Sequence, residues 1–206
     1  MKLGEIKVEA LRLMFMGGAL EIGADQLVDF ADDDTYGYYL SRMPGAINRA
    51  LAVIERRRVL PVRTVRLTSD GRECARYSLK SIAPDLYEIE RLAWSREGEY
   101  EPNENYVIEG GDLLVPSFDP EADYTLLYYP RVERVSAGTD DKKEIEIPEE
   151  IAEVIPYAIK GDLFRDDESS EADAARAFFE SALRDIVLSR NAGSQGSVCT
   201  AYGGLI

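Results

Sequence analysis

The sequence predicts an α+β chain: a four-helix bundle built from both chain ends, with a small antiparallel β-sandwich or barrel inserted between its halves. Three observations predict it. Apolar residues recur at three- and four-residue spacing near both ends, as on helix faces. In the middle the period shortens to alternation around turn residues, as in half-buried strands. Each helical half also leaves one apolar stripe that must be buried against another helix. The expected divisions are residues 1–60 for the first half of the bundle, 61–136 for the β insertion, 137–190 for the second half and 191–206 for a flexible C-terminal arm.

The first helix follows from Leu3, Ile6, Ala10, Leu13 and Met14, and Gly17-Gly18 ends it. A polar loop, DFADDDTYG, comes next. Leu40, Met43, Ile47, Ala50, Leu51 and Ile54 mark a second helix, beginning near Pro44 and stopping near Arg58 before Pro61. PVRTVRL and ECARYSL flank TSDG and predict a hairpin, because Asp-Gly accepts the left-handed turn geometry. LYEIERLAW reads as a third strand, YVIEGGDLLVP as a second hairpin about Gly110-Gly111, and YTLLYYPRV as the last strand. That gives five or six short strands. Helical spacing returns in Ile151, Val154, Ile155, Ala158 and Ile159, then in Ala175, Phe179, Ala182, Leu183 and Ile186. Ser170 and Asp173 have the spacing of a capping box at the start of the final helix.

Composition narrows the function. The chain has 206 residues and a net charge of −15, with the acidic excess falling after Leu60. Such a surface repels phosphates and argues against a module that grips nucleic acid. No run is long and apolar enough for a membrane span. Cys74 and Cys199 suggest neither a disulfide framework nor a zinc site.

The search for chemistry comes back empty. There is no histidine, so the commonest general base and zinc ligand is missing. Carboxylates lie in runs, Asp32-Asp33-Asp34, Glu149-Glu150 and Asp166-Asp167-Glu168, which read as solvated turns and helix starts. The first run fails as a calcium loop because Tyr36 and Met43 stand where oxygen ligands are needed. No catalytic residue, metal or cofactor is expected. The paired tyrosines, Tyr38-Tyr39 and Tyr128-Tyr129, are expected to pack. ERRR, residues 55–58, is the densest basic cluster; cations suit a helix C-terminus, and Arg56, Arg57 and Arg58 are also candidate partner contacts. The Gly/Ser-rich tail NAGSQGSVCTAYGGLI adds four apolar candidates, Val198, Tyr202, Leu205 and Ile206.

The assembled pattern resembles the head-to-tail connector (adaptor) proteins of tailed bacteriophages, in the version with a β insertion. The resemblance rests on MKLGEIKVEALRLM, on YLSRMPGAINRALAVIERRRVLP with its INRAL core, on the Tyr-Tyr-Pro strand in IEGGDLLVPSFDPEADYTLLYYPRVERV, and on IPEEIAEVIPYAIKGDLFRDDESSEADAARAFFESAL with its paired phenylalanines. It implies a structural virion protein of the neck, made in the host cytoplasm: a homo-oligomeric ring, of twelve copies in such proteins, docked on the portal protein. A downstream neck or tail protein would bind its other side, and packaged DNA would pass through without specific binding. No enzymatic residue is implied. Two alternatives stay open: a tail-completion or other neck protein, and a cytosolic non-enzymatic module that binds through its β insertion.

Overall fold

The computed structural model describes residues 1–15, 23–68, 74–96, 99–116, 119 and 121–198. The protein is mixed α+β and forms two compact units, one from Met1–Val59 with Glu133–Ile206 and the other from Leu60–Val132.

The helical unit begins with α1 (Leu3–Met14), which buries Leu3, Ile6, Ala10, Leu11 and Met14. The Glu5 carboxylate accepts the Lys2 backbone N–H at 2.7 Å and so closes the first turn. Leu13, expected in the core, is only half-buried; the buried stripe runs through Leu11 instead. After a 3-10 turn at Ala24–Gln26, α2 (Leu27–Phe30) occupies the start of the expected polar loop. The next helix, α3 (Tyr36–Arg56), starts earlier than the sequence suggests and carries Pro44 inside it. Asp33 is the reason. Its carboxylate accepts the N–H groups of Thr35 and Tyr36 at 2.8 and 2.9 Å, satisfying donors that a helix start leaves unpaired. One acid of the Asp32–Asp34 run therefore serves as a cap.

The helix expected after Ile147 is broken into α5 (Glu149–Ala152) and α6 (Ile155–Leu163). Pro156 sits in the first turn of α6, where its missing N–H costs nothing. The last helix, α7 (Ser169–Val198), starts one residue before Ser170, which is thus inside the helix rather than its cap. It also continues through residues 191–198, part of the stretch expected to be a flexible arm. The nine-residue α6 is the hub: it packs on α1, α3 and α7. Gly161 permits a close approach to α7, because a Cβ there would lie 3.0 Å from the Arg176 Cβ and 3.1 Å from the Ala172 carbonyl oxygen.

The segment between Glu133 and Pro148 has little regular structure but is tied to α1 and α3. Asn48 donates to the Val135 carbonyl at 2.8 Å and accepts the Val135 N–H at 2.9 Å. The N–H groups of Leu3 and Gly4, otherwise unpaired at the start of α1, donate to the carbonyls of Lys143 and Asp141. Buried Lys7 bonds the Asp141 carboxylate at 2.6 Å, and buried Glu55 accepts from Arg134. Two charges removed from water are thereby paired, as burial requires.

The β unit holds two antiparallel sheets. The first has the order β1 (Arg63–Leu67), β7 (Asp123–Pro130), β3 (Leu86–Arg96), β4 (Glu99–Asn103); the second has β2 (Ala75–Ser78), β6 (Asp112–Val115), β5 (Val107–Glu109). Short helix α4 (Leu79–Ile82) follows β2. The expected hairpin of the first two strands does not form: β1 pairs with β7 and β2 with β6, so this connection passes from one sheet to the other. Alternation explains why. Tyr124, Leu126 and Tyr128 give central β7 a buried face, and both β1 and β3 gain more by flanking it. Of the expected TSDG turn, Ser69, Asp70 and Gly71 lie outside the described residues. The second expected hairpin, β5–β6, does form, with Gly110 and Gly111 at φ 60° and 87° in its two-residue turn. Leu67 and Leu92 of one sheet and Leu113 and Val115 of the other join a single core.

Candidate assembly surfaces

Arg56, Arg57 and Arg58 end α3, all three exposed. The helix stops there through a defined hydrogen-bond pattern. The N–H of Arg58 donates to the Glu55 carbonyl at 2.9 Å and that of Val59 to the Ile54 carbonyl at 3.2 Å. This double closure is the Schellman motif, which places one residue in the left-handed region. Arg58 takes that place with φ 55°, among the described residues the one non-glycine at positive φ. The position ordinarily favours glycine.

The three arginines do not share one role. Arg57 pairs with Glu180 of α7 and so belongs to the internal packing of the helical unit. From the same helix, Arg190 donates to the Val59 carbonyl and to Glu150 of α5. The end of α3 is thus tied to α7 by two guanidinium groups, Arg57 reaching out from α3 and Arg190 reaching back from α7. Arg56 points out from the last turn, and Arg58 is displayed by the strained backbone.

The other end of α3 carries an aromatic cluster that sequence reading missed. The Phe15 ring meets Tyr36 and Tyr39 edge-on, each at a centroid distance of 5.1 Å, and Phe164 at 5.9 Å. Phe30 adds a further edge contact to Tyr36 at 5.4 Å. Edge-to-face packing suits the ring quadrupoles. Lys160 lies over Phe164 and donates to the Leu13 carbonyl at 2.6 Å, covering the C-terminal end of α1. Buried Tyr39 donates its hydroxyl to Asp167. Burial, then that carboxylate, pushes the phenol's pKa up to about 12. These rings come from four separate segments of the chain, and spacing along it gives no sign of their meeting.

Among the apolar tail candidates, Val198 is the last residue of α7 and its side chain lies outside the described ones. Tyr202, Leu205 and Ile206 lie outside the described residues altogether. Among the described residues no group of three or more histidine, cysteine or acidic side chains could hold a metal ion. No described helix is long and apolar enough to cross a membrane.

No curated protein matches the chain. The SU10 adaptor protein family matches it over residues 1–200. The chain therefore belongs to the SU10 adaptor protein family, consistent with a phage head-to-tail adaptor.

Proposed function

We propose that this protein is a non-enzymatic, ring-forming virion subunit that docks on the portal and lines part of the DNA channel in the neck. The observation that carries the reading is family membership across nearly the whole chain. Charge supports it: at −15 the protein shares the sign of DNA, so packaged duplex would slide past its surface without condensing there. Ring closure requires two different faces on each copy, because a rotationally repeated contact other than a two-fold is head-to-tail. Arg56 and Arg58 offer one cationic contact in an otherwise acidic protein, suited to an acidic rim on the portal. Arg57, occupied by Glu180, plays a packing part. The C-terminal residues Tyr202, Leu205 and Ile206, with Val198 at the end of α7, act as an arm that binds a neighbour on assembly.

Mixing the purified protein with its portal, followed by mass photometry and negative-stain imaging, tests the reading. The expected result is a ring of adaptor copies on each portal, with twelve as the count that the resemblance implies. Arg56→Glu combined with Arg58→Glu should weaken that attachment at least tenfold while the variant stays folded. Removing residues 199–206 should also weaken attachment and leave the free protein's stability unchanged. Failure of the unaltered protein to associate with the portal as a ring would overturn the proposal.

A further inference from the structure

The two sheets of the β unit leave an open seam. β4 is the last strand of the first sheet and β5 the last of the second. They follow one another in sequence, yet among the described residues each pairs only with its inner neighbour, β4 with β3 and β5 with β6. Unpaired strand edges carry a row of free N–H and C=O groups and template the addition of another strand. Native edges are usually guarded by lysine, proline or a bulge. β4 carries one such guard, Pro102, whereas β5 presents Val107 and Ile108, each 53% exposed. An open groove of about 650 Å³ runs beside them, lined also by Leu92, Pro102 and Tyr106. Glu90 and Glu104 stand on the same lining, with Arg91 beside Glu90.

The chain itself contains a segment matched to this slot. From Asn191 to Ile206 there is no charged side chain, the longest such stretch in the sequence. A groove bordered by glutamates disfavours a strand with acidic side chains, and this segment brings none. Within residues 199–206, Thr200, Tyr202 and Ile206 are of types that favour strands. α7 ends at Val198, and the eight residues beyond it reach about 26 Å when extended, enough to lay a strand of five residues along the seam.

We propose that the β4–β5 seam receives residues 199–206 of a neighbouring copy as an added strand, main-chain hydrogen bonds giving the affinity and Val107 and Ile108 the apolar contact. The choice of a neighbouring copy rests on the ring-subunit reading above. Head-to-tail arm exchange of this kind links each copy to the next and closes with the ring.

A fluorescent peptide of residues 191–206 titrated into the full-length protein and followed by anisotropy tests the site. Saturable binding is expected, at least tenfold weaker for the combined Val107→Lys and Ile108→Lys variant. Val28→Lys, at an exposed position of the helical unit, should leave it unchanged. Absence of saturable binding, or equal binding by the seam variant, overturns the site. The source of the strand is read separately by disulfide trapping between Cys199 and Ile108→Cys, with Cys74→Ser in the same chain, on the portal-bound assembly. Covalent ladders of several chains are expected; a link within single chains, or none, overturns the neighbouring copy as donor. If tail removal abolishes portal attachment while the seam variant binds peptide normally, the assembly arm stands and this receptor for it falls.

Discussion

The backbone N–H of Val59 donates to the carbonyl of Ile54 across five residues, and this bond holds Arg58 in the left-handed region at φ 55°. A side chain there costs about 1–2 kcal/mol relative to the right-handed form, while glycine is nearly indifferent. Arg58→Gly should therefore stabilise the protein by about 0.5–1 kcal/mol, after allowing for the greater freedom of glycine in the unfolded chain. Urea unfolding measures this directly. On the proposed function the same substitution should weaken portal attachment, so stability and binding move in opposite directions. A loss of stability would show that the Arg58 side chain contributes more to the fold than its backbone strain takes away.

Phe178 and Phe179 are adjacent and chemically identical, yet the first is 49% exposed and the second 3%. Phe179→Ala should cost about 3–5 kcal/mol, the range for emptying a buried aromatic site. Phe178 lies on the surface against Tyr157, with ring centroids 4.3 Å apart, and Phe178→Ala should cost about 1 kcal/mol or less. Thermal or urea unfolding of the pair checks the contrast. Equal losses would mean that the exposed ring is held more tightly than its exposure indicates.

Gly161 sets the separation of α6 and α7, with α7 backbone lying 3.1–3.2 Å from the position of a Cβ. Backbone cannot swing aside as a long side chain can. Gly161→Leu should lower stability by about 1–3 kcal/mol through overpacking, although leucine is the better helix former by about 1 kcal/mol. Gly161→Ala gains the same helix propensity with a smaller clash, and should fall between the two. A stable Leu variant would show that α6 and α7 can part without loss.

These contrasts mark what the sequence could and could not disclose. Periodicity placed Ile47, Ile155, Phe179 and Leu183 in buried positions, and Gly110-Gly111 at a tight turn, because those features depend on near neighbours in the chain. It placed the start of α3 at Pro44 because proline is a strong local signal, whereas the Asp33 cap acts through a side chain that resembled one more member of a solvated run. The Asp-Gly turn implied a hairpin, but β1 pairs with β7, more than fifty residues away, and β2 with β6. The aromatic cluster about Phe15 and the ties of Asn48 to Val135 are long-range pairings with no periodic trace. Of the candidate contacts, the arginine cluster was legible as a charge pattern, but its division into a packing Arg57 and an outward Arg56 needed the position of Glu180.

Tyr39 supplies a prediction with a defined pH window. Its hydroxyl is buried and donates to Asp167, and both circumstances favour the protonated phenol, raising its pKa from 10.0 to about 12. The unfolded chain gives up this proton near pH 10 while the folded protein keeps it. Folding stability from this group is therefore fully present below pH 10 and is lost as the pH climbs toward about 12. A shift of that size corresponds to about 2–3 kcal/mol at most. Tyr39→Phe removes the titration and the hydrogen bond together, while Tyr128, whose pKa is raised by burial and then by Asp85, titrates in both proteins and cancels. The difference in unfolding free energy between the two proteins should stay level from pH 7 to about 9 and shrink as the pH rises beyond 10. Urea titrations at intervals across that range provide the comparison. A difference that stayed constant through pH 11 would show that the phenol titrates in the folded protein as it does in water, and that the contact with Asp167 does not hold its proton.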